Sequence, residues 1–249
     1  MEAIVLGGAP NSGPIRAIDD TPYEAGIKIN DRPMIEFILD VLEAMDEIET
    51  IAVVIPEGII EPRKWTKIKP LPPGVTVIDS LLQAVTALQP KEHVLVLASD
   101  IPLITKEALR DFLASCSRRQ AAIYYSFVPK PVVEEKYPGV KRTYVQLKDA
   151  IVTGGNVLLI EPQAIITHHQ RLRQAFALRK HPVKLCQLLG FRFLFKLLCG
   201  QLEVGEIEAR VEEILNLKGA GIVSLYPEIG VDVDKPSDLE LVRSILAAN

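Results

Sequence analysis

Apolar and polar positions follow two rhythms along this chain. Residues 3–6 (Ala3-Ile4-Val5-Leu6), 51–55 and 93–98 are short, mostly unbroken apolar runs, the pattern of strands buried on both faces. Residues 33–45 instead carry Met34, Ile35, Ile38, Val41, Leu42 and Met45 at helical spacing behind Pro33, a residue suited to a first helical turn. After a proline-rich stretch with Pro62, Pro70, Pro72 and Pro73, a short strand is expected at 75–78 and a helix over 80–88. The run at 93–98 leads directly into Ser99-Asp100-Ile101-Pro102, and then into a helix over 106–116 with Thr105 as its N-cap. This β-α-β-(β)-α-β-α alternation predicts an α/β protein: a mainly parallel sheet, helices on both faces, and ligand sites at the carboxyl ends of the strands.

Further along, strands are expected at 121–128, 144–147 and 157–160, the last preceded by Thr153-Gly154-Gly155-Asn156. From 162 to 217 the pattern is helical and strongly charged, with no strand signal. It is expected to form a helical insertion within a single domain spanning 1–249. β character returns at 221–225 and 229–233, and residues 237–248 close the chain as an amphipathic helix opened by a Ser237-x-x-Glu240 capping box.

Composition narrows the class. With 249 residues, 48% hydrophobic and 24% charged, and a mean hydropathy of +0.20, the chain is globular. At this length folding buries roughly 70–75% of the unfolded surface, so neither disulfides nor metals are needed for stability. A net charge of −4 and a pI near 5.7 give no general attraction to a polyanion, and no nucleic-acid partner is expected. Cys116, Cys186 and Cys199 are odd in number and far apart, which fits a reducing cytoplasm. The N-terminus lacks the pattern of a signal peptide, and residues 191–198 are interrupted by Arg192 and Lys196 and too short to span a bilayer. A soluble, cytoplasmic protein without a membrane partner is expected.

Three places could carry chemistry. The first is the loop Leu6-Gly7-Gly8-Ala9-Pro10-Asn11-Ser12-Gly13, with Arg16 and Lys28 beyond it. Glycines let backbone N–H groups approach phosphates, and a downstream cation neutralises their charge, although the spacing is neither that of a P-loop nor that of a dinucleotide fingerprint. The second is Asp100, either a turn-forming residue ahead of Pro102 or a carboxylate projecting into the crevice where Mg²⁺ and phosphates bind. The third is Gly230-Val231-Asp232-Val233-Asp234-Lys235-Pro236, where period-two alternation puts Asp232 and Asp234 on one face if the strand extends that far. Asp234 has a capping role available at the start of the last helix; Asp232 has none and is the better metal candidate. The four histidines, His93, His168, His169 and His181, have no Cys or Ser context of the kind a triad or zinc site needs. Arg171, Arg173, Arg179, Lys180 and Lys184 form a basic run, read either as a solvated helix face or as a holder of a phosphorylated substrate.

Together these residues resemble the nucleotidyltransferase superfamily of molybdenum-cofactor guanylyltransferase-like proteins. The resemblance rests on Ile4-Val5-Leu6-Gly7-Gly8, on Ala98-Ser99-Asp100-Ile101-Pro102-Leu103, and on Asp232-Val233-Asp234-Lys235-Pro236-Ser237-Asp238-Leu239, in that order. It implies a Rossmann-like, three-layer α/β/α fold with a mostly parallel mixed sheet, of the nucleotide-diphospho-sugar transferase type. It also implies NTP and a small anionic acceptor as substrates, with Mg²⁺ on Asp100 and Asp232. Leu6, Gly7, Gly8 and Arg16 of the first loop would meet the NTP, Lys28 would take the place of the family's phosphate lysine, and Ser80 would contact the base. Gly155 and Asn156 fall where relatives contact the acceptor; Arg179 and Lys180, from the basic run, are separate candidates to hold a phosphorylated substrate.

The implied reaction is in-line attack by an anionic acceptor on the α-phosphate of an NTP, with pyrophosphate leaving. Such a nucleophile is already ionised, so histidine scarcity costs the mechanism nothing. Two other functions fit the residues: a nucleotide-sugar-dependent glycosyltransferase, since Asp232-Val233-Asp234 also reads as an Asp-x-Asp, and a catalytically silent nucleotide-binding regulatory protein. The long first loop, with Pro10, Pro14, Asp19, Asp20 and Pro22 where relatives carry Arg-Met-Gly-x-x-Lys, motivates the last of these.

Overall fold

The computed structural model describes residues 1–178 and 190–247. Ten strands are described: β1 (Glu2–Leu6), β2 (Lys28–Ile29), β3 (Arg32–Pro33), β4 (Thr50–Val54), β5 (Ile68–Leu71), β6 (Val94–Ala98), β7 (Ile123–Pro129), β8 (Val145–Gln146), β9 (Ile151–Ile160) and β10 (Gly219–Val223). The helices are α1 (Met34–Glu43), α2 (Val77–Leu88), α3 (Lys106–Cys116), α4 (Lys130–Lys136), α5 (Pro162–Leu178), α6 (Phe191–Leu198), α7 (Val204–Leu215) and α8 (Pro236–Ala247).

The main sheet runs β10-β7-β9-β6-β1-β4-β5, with β8 attached to β9 and β2-β3 forming a separate ribbon. β1 pairs parallel with both β4 and β6, and β9 runs antiparallel between β6 and β7. The chain leaves β1 toward β4 and later returns to β1's other side as β6. The switch point therefore lies at the carboxyl ends of β1 and β6, where α/β sheets open a binding crevice. Strand alternation builds the two layers. Ala3, Val5, Leu95 and Leu97 face one core with Ile38, Leu42 and Phe112, while Ile4, Val94 and Val96 face the other with Leu81 and Ile165. The fold is the expected three-layer α/β/α arrangement with a mostly parallel mixed sheet.

Four local expectations are corrected. No strand forms at 75–78. Thr76 caps α2 and Asp79 reciprocates, a capping box that pulls residues 77–79 into the helix, and Val75 stays 98% exposed. The strand of this region is β5, which accommodates Pro70 because it is an edge strand. Thr153-Gly154-Gly155-Asn156 does not precede a strand but lies inside β9, where a Cβ on either glycine would collide with Tyr125 or Ser126 of β7. Residues 229–233 form no strand: Ile229 ends a 3-10 turn (Pro227–Ile229), and the chain after it is irregular. α8 begins at Pro236, and the Asp238 carboxylate, not the Ser237 hydroxyl, accepts the Asp234 and Lys235 N–H groups at 3.2 Å. Thr105 caps α3 as expected, accepting from Ala108 N–H. No helix among the described residues is long and apolar enough to cross a membrane.

Candidate active site

Three carboxylates meet at the switch point. Asp100 stands two residues beyond β6, and the chain after the 3-10 turn passes close enough for Val233 N–H to donate to the Asp100 carbonyl at 2.9 Å. That single bond registers the two segments, so one oxygen each from Asp100, Asp232 and Asp234 lies within 4.8 Å of the others. Asp232 and Asp234 are thus on one side, as alternation predicts, without a strand to hold them there. Asp234, for which a capping role was available, contributes its carboxylate to the cluster instead, and Asp238 supplies the cap.

Burial and mutual repulsion oppose ionisation of these carboxylates. Asp100 Oδ1 is buried with no hydrogen-bond partner. Burial, then the neighbouring charges of Asp234 and Glu24, push the Asp100 carboxyl up to about 7. Glu24 is likewise raised, by burial and by Asp234. Arg142 is the one described cation inside this acidic cluster. Its side chain is 5% exposed, it pairs with Asp232 and, at 3.3 Å, with Asp238, and it also donates to the Asp232 carbonyl. Arg142 and Glu24 were not singled out from the sequence. Arg142 sits in irregular chain 90 residues from Asp232, and Glu24 in a loop of mixed polarity, so no local pattern marks either one.

The first loop folds back on itself. Asn11 N–H donates to Pro22 O and Glu24 N–H to Ala9 O, while the buried Asn11 amide spans Asp19 O and Thr21 O at 2.9 Å each. This closure carries Glu24 toward Asp100. Arg16, expected to meet nucleotide, directs its guanidinium to the loop carbonyls of Asp20 and Thr21. Gly7 N–H is committed to Val54 O at 2.8 Å. Gly8, Ala9 and Gly13 N–H groups have no partner among the described residues, which leaves them as available donors of the loop. Gly8 also lets the loop approach Pro73, which a Cβ would meet at 2.7 Å. Leu6 ends β1 beside this loop.

The remaining candidates are dispersed. Lys28 is exposed on β2; its side chain has no partner among the described residues, and its carbonyl accepts from Arg243 at 2.7 Å. Ser80 lies in the first turns of α2, buried, and its hydroxyl accepts Gly74 N–H at 2.9 Å, which fixes the Pro72-Pro73-Gly74 loop facing Gly8. Gly155 packs its backbone against Ser126 and Ile229, and Asn156 donates to Ile229 O at 3.4 Å. Arg179, Lys180 and Lys184 lie outside the described residues. Of the earlier basic residues, Arg173 pairs with Asp79 across α5 and α2.

Fold and site together define an α/β protein whose acidic cluster and glycine loop share one switch point. The family model for the MobA-like NTP transferase domain matches residues 24–186. A solved hypothetical transferase from Thermus thermophilus is 35% identical, covering 96% of this chain and 98% of its own, with a TM-score of 0.83. The chain therefore belongs to the MobA-like NTP transferase family and is a nucleotidyltransferase. More distant structures share the fold. CMP:2-keto-3-deoxy-manno-octonic acid synthetase complexed with CTP is 13% identical with a TM-score of 0.64, covering 99% of this chain and 98% of its own. A nucleotidyl transferase from Methanothermobacter thermautotrophicus is 15% identical with a TM-score of 0.59, covering 100% and 98%. No curated protein sequence matches the chain.

Proposed function

We propose that the protein is a Mg²⁺-dependent nucleotidyltransferase that moves an NMP unit from an NTP to a phosphorylated or otherwise anionic small molecule and releases pyrophosphate. The observation that carries this reading is the cluster of Asp100, Asp232 and Asp234 with a buried, unpartnered Asp100 oxygen. Three hard oxygen donors converging on one point suit a divalent cation, and a buried carboxylate oxygen without a partner is costly unless something binds it. Bound there, Mg²⁺ would offset phosphate charge and favour charge build-up at the α-phosphate.

The chain's own residues supply the rest. Gly8 and Ala9 N–H groups are positioned to donate to phosphate oxygens, and Lys28, exposed and unpaired, adds positive charge beside the leaving pyrophosphate. The acceptor oxygen, already anionic, forms the new bond to the α-phosphorus as the bond to the β-phosphate oxygen breaks. No side chain has to remove a proton, and the acceleration comes from positioning and electrostatics. Gly155 and Asn156, on the half of β9 that runs past β6, line the way by which an acceptor would approach.

The test is thermal melting with each of the four NTPs, with and without Mg²⁺, in the parent and in Asp100→Asn, followed by pyrophosphate release with a panel of phosphorylated acceptors. A Mg²⁺-dependent rise with an NTP, lost in Asp100→Asn, is expected. A rise only with nucleotide sugars or nucleoside diphosphates, or NTP binding indifferent to both Mg²⁺ and Asp100, overturns the reading.

A further inference from the structure

Strand register leaves a gap in the main sheet beside the acidic cluster. β9 pairs with β6 only over Val157–Ile160, where Val157 meets Leu97, and it pairs with β8 at Val152, opposite Val145. β7 takes the other side of β9 here, with Pro129 opposite Val152, Val128 opposite Thr153 and Phe127 opposite Gly154. β6 and β8 therefore lie on the same side of β9, one beyond the other, and Thr153-Gly154-Gly155-Asn156 pairs with neither. Asp100 stands past the β6 end of this gap. Residues 142–144 enter at the β8 end, where Arg142 reaches Asp232.

An unused donor stands at that end. The Tyr144 hydroxyl is buried and has no hydrogen-bond partner, a cost that a ligand oxygen would remove. Lys130 Nζ lies 5.5 Å from the centre of the Tyr144 ring. Its pair with Glu134, at 3.5 Å and open to solvent, is of the kind that holds a side chain weakly. Burial, then the Glu134 charge, push the Tyr144 phenol up, and Arg142 opposes them, so the guanidinium that grips Asp232 is felt at this oxygen as well. Lys235, next to Asp234, donates to Lys141 O at 2.7 Å, which fastens the chain ahead of Tyr144 to the acidic segment, and it makes no ion pair among the described residues. A neutral phenol with ammonium groups around it offers hydrogen bonds and positive charge, which suit an anion.

We infer that Tyr144 and Lys130 seat the phosphate of a phosphomonoester acceptor, an inference that rests on the nucleotidyl transfer proposed above. A phosphate has oxygens to spare: one takes the Tyr144 O–H, a second meets Lys130, and a third remains for the acidic cluster's side. That third oxygen forms the bond to the α-phosphorus as the bond from the α-phosphorus to the bridging β-phosphate oxygen breaks. Pyrophosphate leaves with the electron pair, and no proton moves. A carboxylate held by both groups has no oxygen left to attack, so the seat selects phosphate over carboxylate acceptors.

Calorimetric titration with inorganic phosphate at fixed Mg²⁺ tests this. Tyr144→Phe should weaken phosphate binding about tenfold, the worth of one hydrogen bond to a charged group. Its melting temperature should hold or rise, because the hydroxyl it removes has no partner to lose. Lys130→Met should weaken binding severalfold. With any acceptor found by pyrophosphate release, Tyr144→Phe should raise the acceptor's KM and leave that of the NTP. No phosphate binding, binding unchanged in Tyr144→Phe, or binding lost in Lys28→Met alone overturns the inference, the last because the phosphate would then sit on the nucleotide's side. Loss of binding together with a lower melting temperature also overturns it, by making Tyr144 a structural residue. The Mg²⁺-dependent melting shift with NTP should be the same in Tyr144→Phe as in the parent. Its absence from the parent refutes nucleotidyl transfer, whereas phosphate binding indifferent to Tyr144 refutes the seat alone.

Discussion

Arg142 holds Asp232 from two directions, pairing with its carboxylate and donating to its backbone carbonyl. The same guanidinium reaches Asp238 at the start of α8, so one buried cation aligns the metal-candidate acid and the helix cap behind it. Arg142→Met leaves Asp238, 3% exposed, without its countercharge. Removing one partner from a buried pair costs about 3–5 kcal/mol. A urea denaturation midpoint equal to the parent's would show that this contact holds nothing in place.

Stability should depend on pH through Asp100. Burial and the neighbouring charges of Asp234 and Glu24 push its carboxyl from the ordinary 3.8 up to about 7 in the folded protein, so between those values the folded state binds more protons than the unfolded one. Stability is then highest below the unfolded value and declines as pH rises through 7. The metal-free protein should melt at a lower temperature at pH 8 than at pH 5.5, and Asp100→Asn should flatten that difference. Mg²⁺, which competes with the proton for the same oxygens, should stabilise more at pH 8 than at pH 6. A profile unchanged by Asp100→Asn would assign the dependence to other groups.

Lys28→Met separates chemistry from folding. The side chain is exposed and unpartnered, so the melting temperature should hold within a degree or so, about what an ordinary surface substitution does. If Lys28 neutralises phosphate charge in the transition state, kcat/KM falls by about 10²–10³. Full turnover in this variant would remove Lys28 from the mechanism.

Gly155, proposed above to line the acceptor's approach, is a packing position. A Cβ there meets Ser126 and Ile229, so Gly155→Ala should cost about 1–3 kcal/mol by overpacking. Ser126→Gly in the same chain should recover part of that loss, measured as a double-mutant cycle. Strict additivity of the two substitutions would place the strain elsewhere.

The sequence by itself determined the order of elements around β1, β4, β6 and α3 and the family, and it singled out Asp100 and Asp232, which the fold brings together. Each of those rests on local information: an unbroken apolar run needs both faces covered, Thr105 caps within its own turn, and motif residues keep their spacing. Where two local signals competed, the sequence misled. Val75 and Ile78 read as strand until the Thr76–Asp79 capping box made that stretch helical, and Gly154-Gly155 were placed ahead of a strand rather than inside it because the ring and hydroxyl of β7 that require glycine there are invisible locally. Tertiary structure alone decided the site's electrostatics. Arg142 and Glu24 enter the acidic cluster through chain closures that bring distant segments together, and Asp234 joins it because Asp238 takes over the cap. Burial is what raises Asp100, and burial belongs to the packed molecule: the same carboxylate in the unfolded chain is solvated and ionises like any other.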